Sequence, residues 1–261
     1  MIHLVIGRRK RGKTTLAYYM VRKSPARAIF DPRGMVPAQD APPWGVETET
    51  GRAPEHAFRV RNMAALEVGF DMLAQGEIRE LVYTPSDDSL ARPFQVFCNE
   101  LKGWVDRGAT AAKPLSVLID ELGFLESSQR DNPALRRVFR SCEPEIFHVF
   151  ITCHRPVDVP VNTRSIADFW EVFHCVQEHD LDVIRERCGE SAARKVSQLT
   201  ARSFVLFDDA EGKVTEYPDR PDASGHNPWF VELRPVTARA SGTHALDGLA
   251  NKSLDESKLF S

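Results

Sequence analysis

Short apolar runs of strand length alternate along the chain with longer stretches whose apolar residues return every three or four positions. Ile2–Ile6 is the first run, and Leu16, Ala17, Met20 and Val21 follow at helical spacing until Pro25. Ala26–Phe30 reads as a second strand, ending in Asp31-Pro32-Arg33-Gly34. Residues 35–55 are rich in Pro and Gly, lack periodicity and predict a surface excursion. Asn62 then caps a helix carrying Met63, Leu66, Phe70 and Leu73, and residues 81–83 form a short strand before Pro85. Pro93 suits the first turn of a helix with a stripe of Phe94, Phe97, Cys98, Leu101 and Val105.

The alternation continues through the second half. Leu115–Ile119 is a strand ending in Asp120-Glu121, and Asn132-Pro133 open a helix through Leu135, Val138 and Phe139. Residues 147–152 make a strand leading to Cys153-His154-Arg155-Pro156, and residues 170–176 make another. Asp180 is positioned to cap a helix with Leu181, Ile184 and Cys188 on one face, closed by Gly189. A helix over 191–199 and a strand over 204–207 complete the pattern, which predicts an α/β fold with a mostly parallel central sheet flanked by helices. Past Asp208 the pattern changes: Gly212 turns a small hairpin, and Pro218, Pro221 and Pro228 interrupt the chain. The expected division is a main domain over 1–207, a small β or irregular extension over 208–235, and a polar, extended or disordered C-terminal tail over 236–261.

Composition narrows the class. The 261 residues are 42% hydrophobic and 27% charged, enough for one sizeable core, and the net charge of -3 gives no global basic field, so any contact with nucleic acid must be local. Cys98, Cys142, Cys153, Cys175 and Cys188 form no C-x-x-C pair and read as reduced, buried residues of a cytoplasmic protein. An apolar strand beginning at residue 2 leaves no room for a signal peptide, and no apolar run approaches the ~18 residues of a membrane span.

The candidate chemistry lies in two motifs. Gly7-Arg8-Arg9-Lys10-Arg11-Gly12-Lys13-Thr14 matches G-x-x-x-x-G-K-[ST] in the strand–loop–helix setting that this phosphate-cradling loop requires. Its backbone N–H groups, continued through Thr15, attract the phosphates of ATP. Lys13 reaches the β/γ end, and the Thr14 hydroxyl is an Mg²⁺ ligand. The second motif is the apolar strand ending in Asp120-Glu121. Asp120 would hold Mg²⁺ through water, and Glu121 would act as general base on the attacking water. A Glu directly after the Asp, with strands between the two motifs, indicates the additional-strand, RecA-like class of P-loop ATPases.

With Asp31-Pro32-Arg33-Gly34, Asp120-Glu121 and His154-Arg155-Pro156 in this order, the chain resembles the FtsK–HerA superfamily of DNA-pumping ATPases over residues 1–207. The resemblance implies ATP hydrolysis coupled to movement of double-stranded DNA by a homo-oligomeric, hexameric ring. It makes His154, where the family usually has Gln, a sensor whose charge would follow pH in the ordinary His range. The family's trans-acting arginine falls nearest Arg140. Arg136 and Arg137 are its neighbours on the same helix, and Arg155 and Arg164 are competitors. Lys10 replaces the usual middle glycine of the loop. The small size resembles the genome-packaging ATPases of tailless, membrane-containing viruses, implying capsid-vertex or portal partners and a location in host cytoplasm or at the virion vertex. A HerA-like or conjugative pump and a filamentous-phage assembly ATPase of the zonula occludens toxin type are the alternatives. A nucleotide-dependent scaffold is the reading from a different class.

Overall fold

The structure is a computed structural model, and it describes residues 1–36, 57–86, 89–106, 114–124, 133–141, 146–200 and 202–218. Among them nine strands form one sheet. They are β1 (Ile2–Ile6), β2 (Ala26–Phe30), β3 (Ala57–Val60), β4 (Glu80–Tyr83), β5 (Leu115–Ile119), β6 (Phe147–Cys153), β7 (Phe169–Phe173), β8 (Phe204–Asp208) and β9 (Lys213–Tyr217). Their order is β3-β4-β2-β5-β6-β1-β7-β8-β9. All neighbours from β3 to β7 run parallel, whereas β8 and β9 are antiparallel. Strand β6 lies between β1 and β5, the strands that carry the two motifs, as expected of the additional-strand class.

The helices are α1 (Lys13–Val21), α2 (Met63–Gln75), α3 (Ala91–Asp106), α4 (Pro133–Ser141), α5 (Val161–Ile166), α6 (Glu178–Cys188) and α7 (Glu190–Gln198). Right-handed crossovers decide which face each covers. From β1 to β2 the chain steps toward the β3 edge, and α1 covers one face. There Leu16, Ala17 and Val21 pack with Val5, Ile29, Leu118 and Phe150. The connections through α2, α3 and α4 step the other way and cover the opposite face, where Leu4, Phe30, Val117 and Ile151 meet Phe70, Phe97 and Val138. The central strands are buried on both faces, which is why they read as continuous apolar runs rather than as alternations.

Several sequence expectations change. Strand β3 falls where no element was expected, because Ala57-Phe58-Arg59-Val60 is short and amphipathic on the sheet's edge. Helix α5 was likewise unread. Strand β7 ends at Phe173, three residues before the expected end. Asp180 does not cap α6. Gln177 holds that position, while Asp180 is buried and accepts from Arg155 Nε at 3.2 Å. Asn62 does cap α2, accepting from the Ala65 N–H at 2.8 Å, and Gly212 turns the β8–β9 hairpin with φ of 58°. Most of the excursion expected over 35–55, Asn132, Cys142 and the tail over 236–261 lie outside the described residues.

Candidate nucleotide site

Parallel strands bring their C-terminal ends to one edge, and every motif residue but Arg140 hangs from that edge. The loop Gly7–Thr14 leaves β1 and enters α1 at Gly12, the N-cap residue, with φ of 99°. Gly7 is required sterically. With φ of 154° it sits so close to β7 that a Cβ there would lie 2.6 Å from Phe173 Cβ. Lys10 adopts φ of 61°, the left-handed conformation that the missing middle glycine would take without strain.

Lys13 is buried beneath the loop, its Nζ 3.3 Å from the Arg8 carbonyl oxygen and 3.5 Å from His154 Nδ1. Burial lowers its pKa, and the carboxylates of Glu121 and Asp120 oppose that shift. Thr14 donates from Oγ1 to Asp120 Oδ1 at 3.0 Å. Thr152, fully buried on β6, donates to the same oxygen at 2.8 Å and accepts from the Glu121 N–H at 2.8 Å. One hydroxyl thus holds both members of the Asp-Glu pair in place. Its signal in the sequence was a polar residue two places before His154, inside a run read only as a strand.

Glu121 turns out of β5 with φ of 63°. Its Oε1 lies 2.8 Å from His154 Nε2, off the line of an aligned hydrogen bond, and its Oε2 lies 3.6 Å from Arg33 Nη1. Burial raises the carboxyl's pKa, with Lys13 pulling against it. His154 is pushed down to about 4 by burial first and then by Lys13, Arg33 and Arg9, so its imidazole is neutral at physiological pH. That corrects the expectation of titration in the ordinary His range. Lys13 Nζ faces Nδ1 of the ring, and Nε2 faces Glu121. Asp31 anchors the loop bearing Arg33. It is wholly buried, accepts from the Met35 and Val36 N–H groups at 2.9 Å each, and pairs with Arg59 at 3.6 Å.

The donor set fits Mg²⁺, which binds through one or two protein oxygens, phosphates and water rather than a protein cage. Thr14 and Asp120 converge, and no group of three or more His, Cys, Asp or Glu side chains able to hold a metal occurs among the described residues. Cys98, Cys153, Cys175 and Cys188 are buried and in no disulfide among the described residues. Arg140 is not brought to this site. It is exposed on the last turn of α4, which runs back from the end of β5 toward the start of β6. Arg155 is held by Asp180, and Arg164 Nε is buried without a hydrogen-bond partner among the described residues.

No family model and no curated protein matches the chain by sequence. Solved structures do match its fold. The genome packaging NTPase B204 from Sulfolobus turreted icosahedral virus 2, in complex with AMPPCP, has a TM-score of 0.61 at 16% identity, over 83% of this chain and 95% of that one. Its complex with ATP-gammaS gives 0.57 at 17% identity over 82% and 95%. B204, the DNA-packaging ATPase from Sulfolobus turreted icosahedral virus, gives 0.56 at 16% identity over 82% and 95%. The chain therefore shares the fold of these packaging NTPases, a mostly parallel α/β sheet flanked by helices.

Proposed function

We propose that the chain is an ATP hydrolase that drives double-stranded DNA, with packaging of a viral genome as its task. The observation that supports the chemistry best is the meeting of Lys13, Thr14, Asp120, Glu121 and His154 at one sheet edge, from two strand ends and one helix start. Lys13 and the loop N–H groups hold the β- and γ-phosphates. Thr14 and Asp120 would hold Mg²⁺, which when bound would supply charge that neutralises the phosphates. Glu121 accepts a proton from water as the water oxygen attacks the γ-phosphorus. The bond from that phosphorus to the bridging oxygen breaks, and ADP leaves with the electron pair. A carboxyl with a raised pKa is a better base for this step than an exposed one. His154 is the sensor in this scheme. Its Nε2 faces Glu121 while Nδ1 faces Lys13, so the ring joins phosphate occupancy to the base.

Residues 1–207 form the motor, which acts as a hexameric ring around duplex DNA at a capsid vertex or portal. Arg140 reaches the neighbouring subunit's nucleotide, consistent with its exposure away from its own site. Binding of an ATP analogue and steady-state turnover, measured on wild type and Glu121→Gln, test the chemistry. Turnover should fall by ~10²–10⁴-fold while binding remains. Wild-type turnover in Glu121→Gln would overturn the assignment.

A further inference from the structure

The residues at the β5–β6 side of the loop address the γ-phosphate end, and none of them addresses a nucleoside. A triphosphate lying along the loop with its γ end there must leave on the other side of β1, toward β7. Phe173, the last residue of β7, packs directly under that part of the loop. A Cβ at Gly7 would lie 2.6 Å from Phe173 Cβ, and one at Gly12 would lie 3.8 Å from Phe173 Cε1. The next residue, His174, is thereby set beside the loop on the site's own edge. The basic run divides between the two ends. Arg9 acts electrostatically on Glu121 and His154, whereas Arg8 and Arg11 act on His174. His174 is half-buried and tethered through a hydrogen bond to the Ser197 backbone on α7. Its Nδ1 is buried and has no hydrogen-bond partner among the described residues. Burial, with Arg11 and Arg8, lowers its pKa, which favours a neutral ring with a bare acceptor nitrogen.

We propose that His174, with Arg8 and Arg11, forms the nucleoside end of the nucleotide site: the imidazole packs against the nucleoside and the two arginines face the α-phosphate. This rests on the P-loop reading above, and the test separates the two. Calorimetry on the full chain with Mg²⁺ compares a non-hydrolysable ATP analogue with inorganic tripolyphosphate, which has the phosphates and no nucleoside. Wild type should bind the analogue at least tenfold more tightly than tripolyphosphate. His174→Ala should lose about tenfold for the analogue and stay within twofold for tripolyphosphate, whose retained binding also reports an intact loop. If His174→Ala does not fold, His174→Gln, which keeps a donor for the Ser197 carbonyl, is read by the same criteria. Equal affinity of wild type for both ligands, unchanged binding of the analogue in the variant, or equal loss of both ligands overturns the proposal. Wild type binding neither ligand would overturn the P-loop reading and this one with it.

Discussion

At the scale of single residues, the proposed function separates holding phosphate from moving a proton. Lys13→Ala removes the cation under the β/γ end and should abolish nucleotide binding. Glu121→Gln keeps binding and should cost ~10²–10⁴-fold in turnover, the range for a general base. Thr152→Val keeps the volume but removes both hydroxyl bonds that hold Asp120 and Glu121. It should lower kcat more than it weakens ATP binding, measured by turnover and equilibrium binding side by side. His154 makes a pH prediction whose sign follows from its depressed pKa. The folded ring binds a proton only near pH 4 and an unfolded one near the ordinary 6.5, so the unfolded state takes up more protons between those values. The stability that His154 contributes is therefore complete above pH 6.5 and falls as pH drops toward 4. Thermal unfolding of His154→Gln should show a shallower loss than wild type across that window, and parallel curves would mean that His154 is not held neutral. Lys13, Thr14, Asp120 and Glu121 were legible because a phosphate loop and a strand ending in Asp-Glu have fixed local spacing. Thr152 and Arg33 were not assigned roles, because they meet the Asp-Glu pair only through strand order, which no local spacing encodes.

Among elements, α1 depends on both its ends. Its start needs Gly7 and Gly12, and Gly7→Ala would force a Cβ against Phe173 Cβ. Nucleotide binding should be lost in that variant even though Lys13 is intact. Farther along, Tyr18 donates to Glu80 at 3.1 Å, Arg27 pairs with Glu80 at 3.1 Å, and Arg27 Nη1 donates to the Arg22 carbonyl at 2.9 Å. This buried set ties α1 to β2 and β4 across the sheet face. Glu80→Ala leaves Arg27 charged and buried without its partner and should cost about 3–5 kcal/mol, read from denaturant midpoints. The central strands were legible because both faces are covered and apolar runs announce them. Strand β3 was missed for the complementary reason: on the edge its positions are mostly half-buried and include Arg59, so no apolar run marks it. Asp180 was misread as a cap because its pairing with Arg155 is tertiary.

For the whole molecule, the proposal is a ring that moves DNA. Arg140→Ala has intact phosphate chemistry but no trans cation, and Lys13→Ala has the cation but no nucleotide. Each alone should be nearly inactive, since an arginine finger typically supplies ~10³–10⁵ in rate, and mixing them should restore part of the turnover. Full turnover by Arg140→Ala alone would move the finger to another arginine, with Arg164 next because its Nε is buried without a hydrogen-bond partner among the described residues. The central claim is that hydrolysis serves movement along duplex DNA, and the direct measurement is ATP turnover by the full chain with and without double-stranded DNA across a salt series. The account predicts turnover that rises with duplex, requires Glu121, and loses its stimulation as salt displaces the phosphate contacts. Turnover that is indifferent to duplex DNA at every salt concentration, from a protein that stays monomeric with ATP, would contradict it.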